Sequence, residues 1–288
     1  MKSSNRKALR SPVPSGGTDE WGPAVSSPRN PRIRAAVLLR KRSERDRTGR
    51  MLIEGIRELR LAVRAGVSVR ETFFCPELFK TDEEHGLLHE LAGRNIDCVR
   101  VARRAFAKLA YREGTGGFVA VAERPERMLE GLATGTNPLI LVVDAVEKPG
   151  NLGAILRTAD AAGVTGLIVS NPRTDLTNPN VVRASLGTVF TVPWVQSPAA
   201  EAVKWLKDKG IAIVTTTPAG DAVPYTDADL HSPCAIVVGS EDTGAGTIWL
   251  EASDVRVRIP MQGQADSLNV SVSASIILYE ALRQRRAP

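Results

Sequence analysis

The stretch that decides the fold is IPMQGQADSLNVSVSASIILYE, residues 259–280. It closes a run, residues 255–259, in which apolar and polar side chains alternate as they do in a half-buried strand. Pro260 cannot donate to a sheet ladder, so we expect the strand to end there. Ser267 is the predicted N-cap of a helix that runs to about Arg285. The first turns of this helix carry small residues, which let another backbone come close. By itself the stretch fits an ordinary strand and terminal helix of an α/β domain.

Upstream of this stretch, apolar strand runs alternate with helical runs. The predicted strands span residues 139–146, 166–170, 189–195, 211–216, 235–239 and 255–259, and the predicted helices span 152–162, 178–186 and 199–209. This order favours an α/β fold with a mostly parallel sheet and helices on both faces. Ligands of such sheets bind beyond the carboxyl ends of the strands. The loops that follow the strands are therefore the candidate site.

A smaller alternating unit precedes this region. Its predicted helices span residues 31–49, 56–65, 82–93 and 104–110, and its predicted strands span 71–75, 97–101 and 117–122. We expect a disordered basic arm at 1–30, a substrate-binding domain at 31–124, a linker at 125–137 and a second domain at 138–288. His85 and His89 are four residues apart, but no third ligand accompanies them, so no metal site is predicted.

Composition narrows the class of protein. The 288 residues are 43% hydrophobic and 24% charged, which is ordinary for a globular protein. We expect no membrane span, because no apolar run approaches about 18 residues. A secretory signal is not expected either, because the basic N-terminus lacks an apolar core after it. Three widely spaced cysteines without a C-x-x-C motif favour a reducing, cytoplasmic location.

The positive charge is concentrated near the N-terminus. Residues 1–50 hold 13 Lys and Arg against 4 Asp and Glu, a net +9, whereas the remaining residues sum to −3. Such a segment often binds nucleic acid, because neutralising phosphates releases counterions. A solvated tail without a ligand fits the charge equally well.

Three strand-end loops carry unusual polar patterns. They read Asn151-x-Gly-x-x-x-Arg157, then Gly239-Ser-Glu241, and finally Ile259-Pro-Met261 followed by Ser267-Leu-Asn269. In the first loop Asn151 can cap the helix that follows, and Arg157 lies about one and two-thirds turns further on. None of the loops matches the G-x-G-x-x-G dinucleotide fingerprint or a P-loop.

In order and spacing these loops resemble the three motifs of the SpoU (TrmH) family of SPOUT-class RNA 2′-O-ribose methyltransferases. The resemblance covers residues 138–285, and residues 50–123 look like the ribosomal-protein-like substrate-binding domain of many members. The layout is most similar to the 23S rRNA methyltransferases of the avilamycin or thiostrepton resistance type. The resemblance implies a deep C-terminal trefoil knot, S-adenosylmethionine as methyl donor, and a homodimer joined at the knot.

The resemblance also assigns roles to residues of the three loops. Gly239, Ile259 and Leu268 would contact the donor, largely through backbone groups, and Met261 and Thr216 would line its pocket. The implied catalytic set is Arg157 together with Asn151, Glu241, Ser267 and Asn269, which would orient Arg157, the ribose and the loops.

The role of Arg157 stays open between two readings. The residue takes the proton of the ribose hydroxyl, or it grips the neighbouring phosphate while another group takes the proton. The first reading is awkward, because a guanidinium normally stays protonated.

The predicted RNA contacts are Arg183, in the sheet domain, and Arg40 and Arg42, in the basic helical segment. Three alternatives remain: a tRNA 2′-O-methyltransferase, a non-catalytic RNA-binding relative, and a different α/β cofactor enzyme such as a nucleotide-binding reductase. The missing G-x-G-x-x-G motif counts against the reductase. The intact polar residues of the three loops count against the inactive relative.

Overall fold

The structure is a computed structural model that describes residues 21–111 and 114–286. Its strands are β1 Arg50–Glu54, β2 Val69–Phe74, β3 Asp97–Arg100, β4 Phe118–Glu123, β5 Leu139–Asp144, β6 Gly166–Ser170, β7 Trp194–Ser197, β8 Ala212–Thr216, β9 Val223–Pro224, β10 Cys234–Val238 and β11 Val255–Arg258. Its α-helices are α1 Pro31–Leu38, α2 Arg42–Thr48, α3 Ile56–Arg64, α4 Asp82–Gly93, α5 Arg103–Leu109, α6 Pro149–Ala162, α7 Pro179–Ala184, α8 Ala199–Asp208, α9 Thr247–Ala252 and α10 Val270–Arg286.

The first unit is a four-stranded sheet in the order β1-β4-β2-β3. Strand β4 pairs antiparallel with β1 and with β2, whereas β2 and β3 are parallel. Strand β1 was not predicted, because its apolar run, residues 51–53, is only three residues long and lies between two charged residues. The predicted helix 31–49 is divided into α1 and α2, and α2 ends at Gly49, whose φ of 66° is left-handed.

The N-terminal arm was predicted to be disordered to residue 30, and this is wrong for residues 21–30. Val25 forms a parallel bridge with Val101, and the Val25 N–H donates to the Arg100 carbonyl at 2.8 Å. The Trp21 ring meets the Phe74 ring edge-on at 5.5 Å between centroids. Apolar and backbone contacts therefore hold this segment on the sheet. Residues 1–20 of the predicted arm lie outside the described residues.

The second unit is a seven-stranded parallel sheet in the order β7-β6-β5-β10-β8-β11-β9. Strands β5 and β10 lie in its centre and are buried along their whole length. Leu141 and Val143 face the core formed with α6 and α10, whereas Ile140 and Val142 face the core formed with α8 and α9. The predicted α/β fold with helices on both faces is thus confirmed.

Three local predictions in the second unit are wrong. The strand predicted at 189–195 is mostly turn, with the Val192 N–H bonded to the Thr188 carbonyl at 2.9 Å, and β7 begins only at Trp194. Asn151 lies inside α6, which Pro149 opens, so it does not cap that helix. Ser267 does not cap α10 either.

The cap of α10 is Asn269, whose Oδ1 accepts from the Ser271 N–H at 3.0 Å. A capping amide and a capping hydroxyl follow the same sequence rule, and two candidates two residues apart cannot be ranked without the backbone.

The two units meet across a buried ion pair and a close backbone contact. The Arg45 guanidinium lies 2.5 Å from the Asp175 carboxylate, and their side chains are only 1% and 4% exposed. At the same boundary, a Cβ on Gly187 would come within 2.9 Å of the Leu61 side chain and 3.2 Å of the Glu58 backbone. These contacts join the first unit to the segments on either side of α7 in the second unit.

Candidate active site

A cleft of about 1040 Å³ opens at the carboxyl ends of β8, β10 and β11. Its walls come from the segments that follow these strands, residues 216–219, 239–245, 258–262 and 266–268. All five predicted donor-binding residues line it: Thr216, Gly239, Ile259, Met261 and Leu268. Glu241 and Ser267, from the predicted catalytic set, line it as well. Three distant stretches of the chain therefore form one concave site, because parallel strands end at the same edge.

The floor of the cleft depends on a tight turn after β10. Ser240 and Gly244 exchange backbone hydrogen bonds of 3.0 and 3.1 Å, which folds residues 240–244 back on themselves. A Cβ on Gly239 would lie 1.9 Å from the Gly244 carbonyl carbon and 2.0 Å from the Ala245 nitrogen. Only glycine fits there, since the obstructing atoms are backbone.

Gly239→Ala tests this geometry. The turn would have to move by more than an ångström, and overpacking of this kind costs about 1–3 kcal/mol. We expect the affinity for S-adenosylmethionine, the donor that the family resemblance implies, to fall about ten-fold or more in calorimetric titration. Gly220→Ala is the matched control, because its Cβ would meet no atom within 4 Å and the backbone there is not left-handed. Equal affinities of the two variants would contradict the assignment of Gly239 to the cleft floor.

A chain of side-chain hydrogen bonds joins the three predicted motifs. Asn151 Nδ2 donates to Glu241 Oε1, and Asn151 Oδ1 accepts from Asn269 Nδ2 at 3.1 Å. Asn269 is the last residue of this hydrogen-bonded series, and its Oδ1 caps α10. Each amide uses both its donor and its acceptor, so the chain sets the position of all three loops relative to one another. Lys148 Nζ lies 3.9 Å from Glu241 Oε1 and places a positive charge at the same point.

Asp144 holds the segment that follows the turn, and it was not among the predicted site residues. Its carboxylate is 2% exposed and accepts from the Ser170 hydroxyl at 2.8 Å, the Asn171 amide at 2.9 Å and the Gly246 N–H at 2.9 Å. These bonds connect the ends of β5 and β6 with the start of α9. The available signal was an acidic residue that ends an otherwise apolar buried strand, because a buried carboxylate needs several donors.

Arg157 stands apart from this hydrogen-bond chain. It lies on α6 and is exposed, and it makes no hydrogen bond or ion pair with any other residue that the structure describes. The next residue, Thr158, contacts Ser275 of α10 at 3.0 Å between hydroxyl oxygens. Ser267, although it lines the cleft, is likewise outside the hydrogen-bond chain. Arg157 is therefore available to a ligand or to another chain.

The predicted RNA contacts have different surroundings. Arg42 is exposed, and its guanidinium lies 3.6 Å from Asp46 on the same helix. Arg40 is half-buried and donates to the carbonyls of Lys108 and Leu109 at 3.0 and 2.5 Å. The structure thus gives Arg40 a positioning role within the first unit.

Arg183 is half-buried at the boundary between the units. Burial raises the pKa of Glu54 and of Glu58, and the positive charge of Arg183 offsets part of that rise. Its surroundings therefore include two buried carboxyl groups, which the sequence did not reveal.

No group of three or more His, Cys, Asp and Glu side chains is placed to hold a metal ion in residues 21–111 and 114–286. In the same residues, no helix has the length and apolar character needed to cross a membrane.

Two family models match the chain. The SpoU rRNA Methylase family matches residues 138–279, and an MRM3-like substrate binding domain matches residues 30–120.

Individual relatives match both units together. The 23S rRNA (uridine(2479)-2′-O)-methyltransferase of Streptomyces viridochromogenes is 34% identical over 86% of this chain and 88% of its own length. The 23S rRNA (guanosine(2553)-2′-O)-methyltransferase of Bacillus subtilis is 32% identical over 88% of this chain and 97% of its own. The crystal structure of the SpoU methyltransferase AviRb from Streptomyces viridochromogenes with the cofactor AdoMet has a TM-score of 0.80 and 33% identity, covering 89% of this chain and 98% of that chain.

Proposed function

The chain belongs to the SpoU rRNA methylase family, and from this premise we propose that it transfers a methyl group from S-adenosylmethionine to a ribose 2′-hydroxyl of 23S rRNA. The observation that carries the proposal is the series of hydrogen bonds from Glu241, which lines the cleft, through Asn151 to Asn269. Each of these side chains comes from a different motif, so their hydrogen bonds hold the three loops of the site in one arrangement.

The residues of the cleft fit S-adenosylmethionine, which supplies an activated methyl group on a positively charged sulfur. Apolar side chains such as Ile259, Met261 and Leu268 suit the faces of an adenine ring. The backbone at Gly239 carries no side chain that would keep a ligand away from the floor. We assign donor binding to these residues and to Thr216.

The protein has to align the ribose hydroxyl and ease the loss of its proton. We propose that Arg157 acts on the RNA directly, because its guanidinium is exposed and unpaired among the described residues. Asn151, Glu241 and Asn269 position the loops on which the ribose and the donor meet. Ser267, at the edge of the cleft, is assigned to the ribose side.

Mapping of methylated riboses tests the proposal. RNA would be isolated from cells with and without the gene, and each 2′-O-methyl group located at nucleotide resolution. We expect one position of 23S rRNA to lose its methyl group, and purified protein with labelled S-adenosylmethionine to restore it. A lost position in tRNA would replace the rRNA assignment. Unchanged maps together with an inactive purified protein would contradict the activity itself.

We further propose that the methyl group protects the ribosome against an antibiotic and that the protein works in the cytoplasm, where it would meet its rRNA. The support is the similarity to AviRb over both units. Expression in a sensitive host should raise the inhibitory concentration of one class of ribosome-targeting drug. If the inhibitory concentrations of all the drugs tested are unchanged, the resistance role is wrong, but the proposed ribose methylation is not contradicted.

The knot belongs to the same proposal. We infer that residues 259–269 thread through the chain that precedes them before α10 begins. The support is the crowded backbone beside Gly239 and the small residues that open α10. A chain trace in an experimental electron-density map would check the threading.

We also propose a homodimer, joined through the outer face of α10. Val272 and Tyr279 are 45% and 53% exposed on this helix, and half-buried Ile276 lies between them. Their spacing of four and three residues puts them on one face. Arg157 is exposed on α6, which packs beside α10, so a partner at this face would also approach Arg157.

Tyr279→Asp should weaken the dimer. A charge in the centre of an apolar interface costs about 2 kcal/mol or more, which is about thirty-fold in the dissociation constant. Analytical ultracentrifugation would show the shift to monomer. Ile248→Asp is the control, because Ile248 is 47% exposed on α9, which packs on the opposite side of the sheet. If both variants dimerise like the native protein, α10 is not the interface.

A further inference from the structure

The first unit contains a second cleft, of about 530 Å³, far from the three motifs in sequence. It is lined by Leu78, Lys80, Arg103, Phe106, Ala107, Ala110, Tyr111 and residues 114–117. The volume is in the range of small-molecule sites. Neither the family motifs nor the proposed chemistry uses this cleft.

Several positively charged side chains lie at the cleft or on the helix beside it. Lys80 and Arg103 line it and are exposed, and neither side chain makes an ion pair with any residue described by the structure. Arg104 and Lys108 on α5 do not line the cleft, but they are also exposed and make no ion pair with a described residue. Unneutralised cations around a concave surface attract a polyanion.

An aromatic ring lines the cleft, and a cation lies against that ring. Tyr111 is 50% exposed, and the Arg40 guanidinium lies 5.2 Å from its ring centroid. Arg40 is itself fixed by the carbonyls at the end of α5, Lys108 and Leu109. The ring is thus positioned in advance, as a stacking platform requires.

Two glycines, Gly116 and Gly117, also line the cleft. Gly116 and Gly117 have left-handed φ values of 61° and 78°. A Cβ on Gly117 would come within 2.8 Å of the Cys75 carbonyl oxygen and 3.0 Å of the Phe79 ring. The N–H groups of Gly116 and Gly117 donate to nothing within the part of the chain described. They are free to donate to a ligand that approaches closely.

We propose that this cleft binds one unpaired nucleotide of the RNA substrate. The base stacks on Tyr111, the phosphates lie between Lys80 and Arg103, and the glycine N–H groups take an acceptor of the nucleotide. A flipped-out base is what single-stranded loops of RNA present, and aromatic stacking with cationic phosphate contacts is how proteins hold it. This inference rests on the proposed function, because it assumes an RNA substrate.

The cleft is connected to the catalytic unit through packed elements. The Tyr111 N–H donates to Glu54 of β1 at 3.0 Å, and β1 packs against α7. Helix α7 packs on α6, where a Cβ on Gly153 would come within 2.4 Å of Ala184. A nucleotide in the cleft would therefore be linked through packed elements to the helix that carries Arg157, and its position would influence which ribose reaches the donor.

The test compares Tyr111→Ala with Tyr111→Phe. The probe is a 23S rRNA transcript, with a labelled 12-nucleotide single-stranded RNA and its duplex as simpler probes. We expect Tyr111→Ala to raise the dissociation constants of the transcript and the single strand about ten-fold or more, because stacking of one base contributes about 1–3 kcal/mol. The phenylalanine variant should stay within about two-fold, and the affinity for S-adenosylmethionine should not change in either. In the double variant Lys80→Ala with Arg103→Ala, the slope of log affinity against log salt concentration should fall by the amount expected for the loss of about two phosphate contacts.

The outcomes separate this inference from the proposed function. If Tyr111→Ala binds the transcript and methylates it with the native KM, the nucleotide site is wrong while the methyltransferase stands. If native protein methylates no RNA, the proposed function fails, and binding of the 12-mer still decides the cleft. Loss of binding to intact ribosomal particles with normal binding to naked transcript would assign the cleft to a protein partner and overturn the nucleotide site.

Discussion

Replacing Arg157 with alanine should reduce methylation of 23S rRNA about 100-fold or more. The reason is that a group which assists proton transfer or holds charge at the reacting centre contributes about 10²–10⁴ in rate. Arg157 is not part of the hydrogen-bond chain through Asn151, so its removal leaves the loops in place. Affinity for S-adenosylmethionine should therefore remain within about two-fold, because a group outside the donor's contacts adds little to its binding. Single-turnover methylation and calorimetric titration measure the two quantities.

Lys207→Ala is a suitable control for Arg157→Ala, because Lys207 is an exposed cation on α8 without an ion pair in the described chain. The pH profile distinguishes the two readings of Arg157. If the guanidinium takes the proton, the alanine variant should recover rate as hydroxide rises. If it grips a phosphate, KM for RNA should rise and added base should not help. Full activity of Arg157→Ala would remove the residue from the catalytic set.

Arg45→Met should destabilise the fold by about 3–5 kcal/mol, because it leaves the buried Asp175 carboxylate without its partner. The Arg45 guanidinium also donates to the carbonyls of Leu39 and Arg40 at 2.9 Å, so three elements lose a common anchor. Urea unfolding followed by circular dichroism measures the change. Arg47→Met on the same helix is the control and should change little, since the Arg47–Glu44 pair is at the surface.

The Asp175 pair also predicts a pH dependence. Burial alone would raise the pKa of Asp175, but the hydrogen bonds from Arg45 and Thr177 outweigh it and lower that pKa below its usual range. A lowered pKa in the folded state means that the pair stabilises the protein above the unfolded value, about 3.9, and that this contribution is lost as pH falls through the folded value. The stability difference between native protein and Arg45→Met should therefore grow from about pH 3 to pH 7. A difference that is constant across this range would mean that Asp175 does not titrate with the pair.

Periodicity predicted most elements of the second unit correctly. Buried parallel strands are continuous apolar runs, and residues 166–170 and 235–239 gave that signal within one residue of β6 and β10. The run at 189–195 misled, because its apolar residues are buried in turns against the sheet. A buried apolar run does not specify its backbone conformation.

The candidate site was likewise predicted only in part from the sequence. All five residues predicted for the donor line the cleft, from Thr216 to Leu268, but other lining residues such as Ser240 and Pro260 were not predicted. Spacing along the chain did not reveal that Asn151 bonds to both Glu241 and Asn269, because such bonds join residues 90 and 118 positions apart. Nor did it single out Asp144, which is one acidic residue among many until its burial is known.

The sequence by itself determined the fold class and the family of this protein, because strand period, helix period and short polar motifs are local properties of the chain. Only the tertiary structure decided that Asn269 rather than Ser267 caps α10, that Arg45 and Asp175 join the units, and that Tyr111 stands over a cationic cleft. The physical reason is that burial, orphaned charge and hydrogen-bond partners depend on contacts between distant residues, and these arise only when the chain is folded.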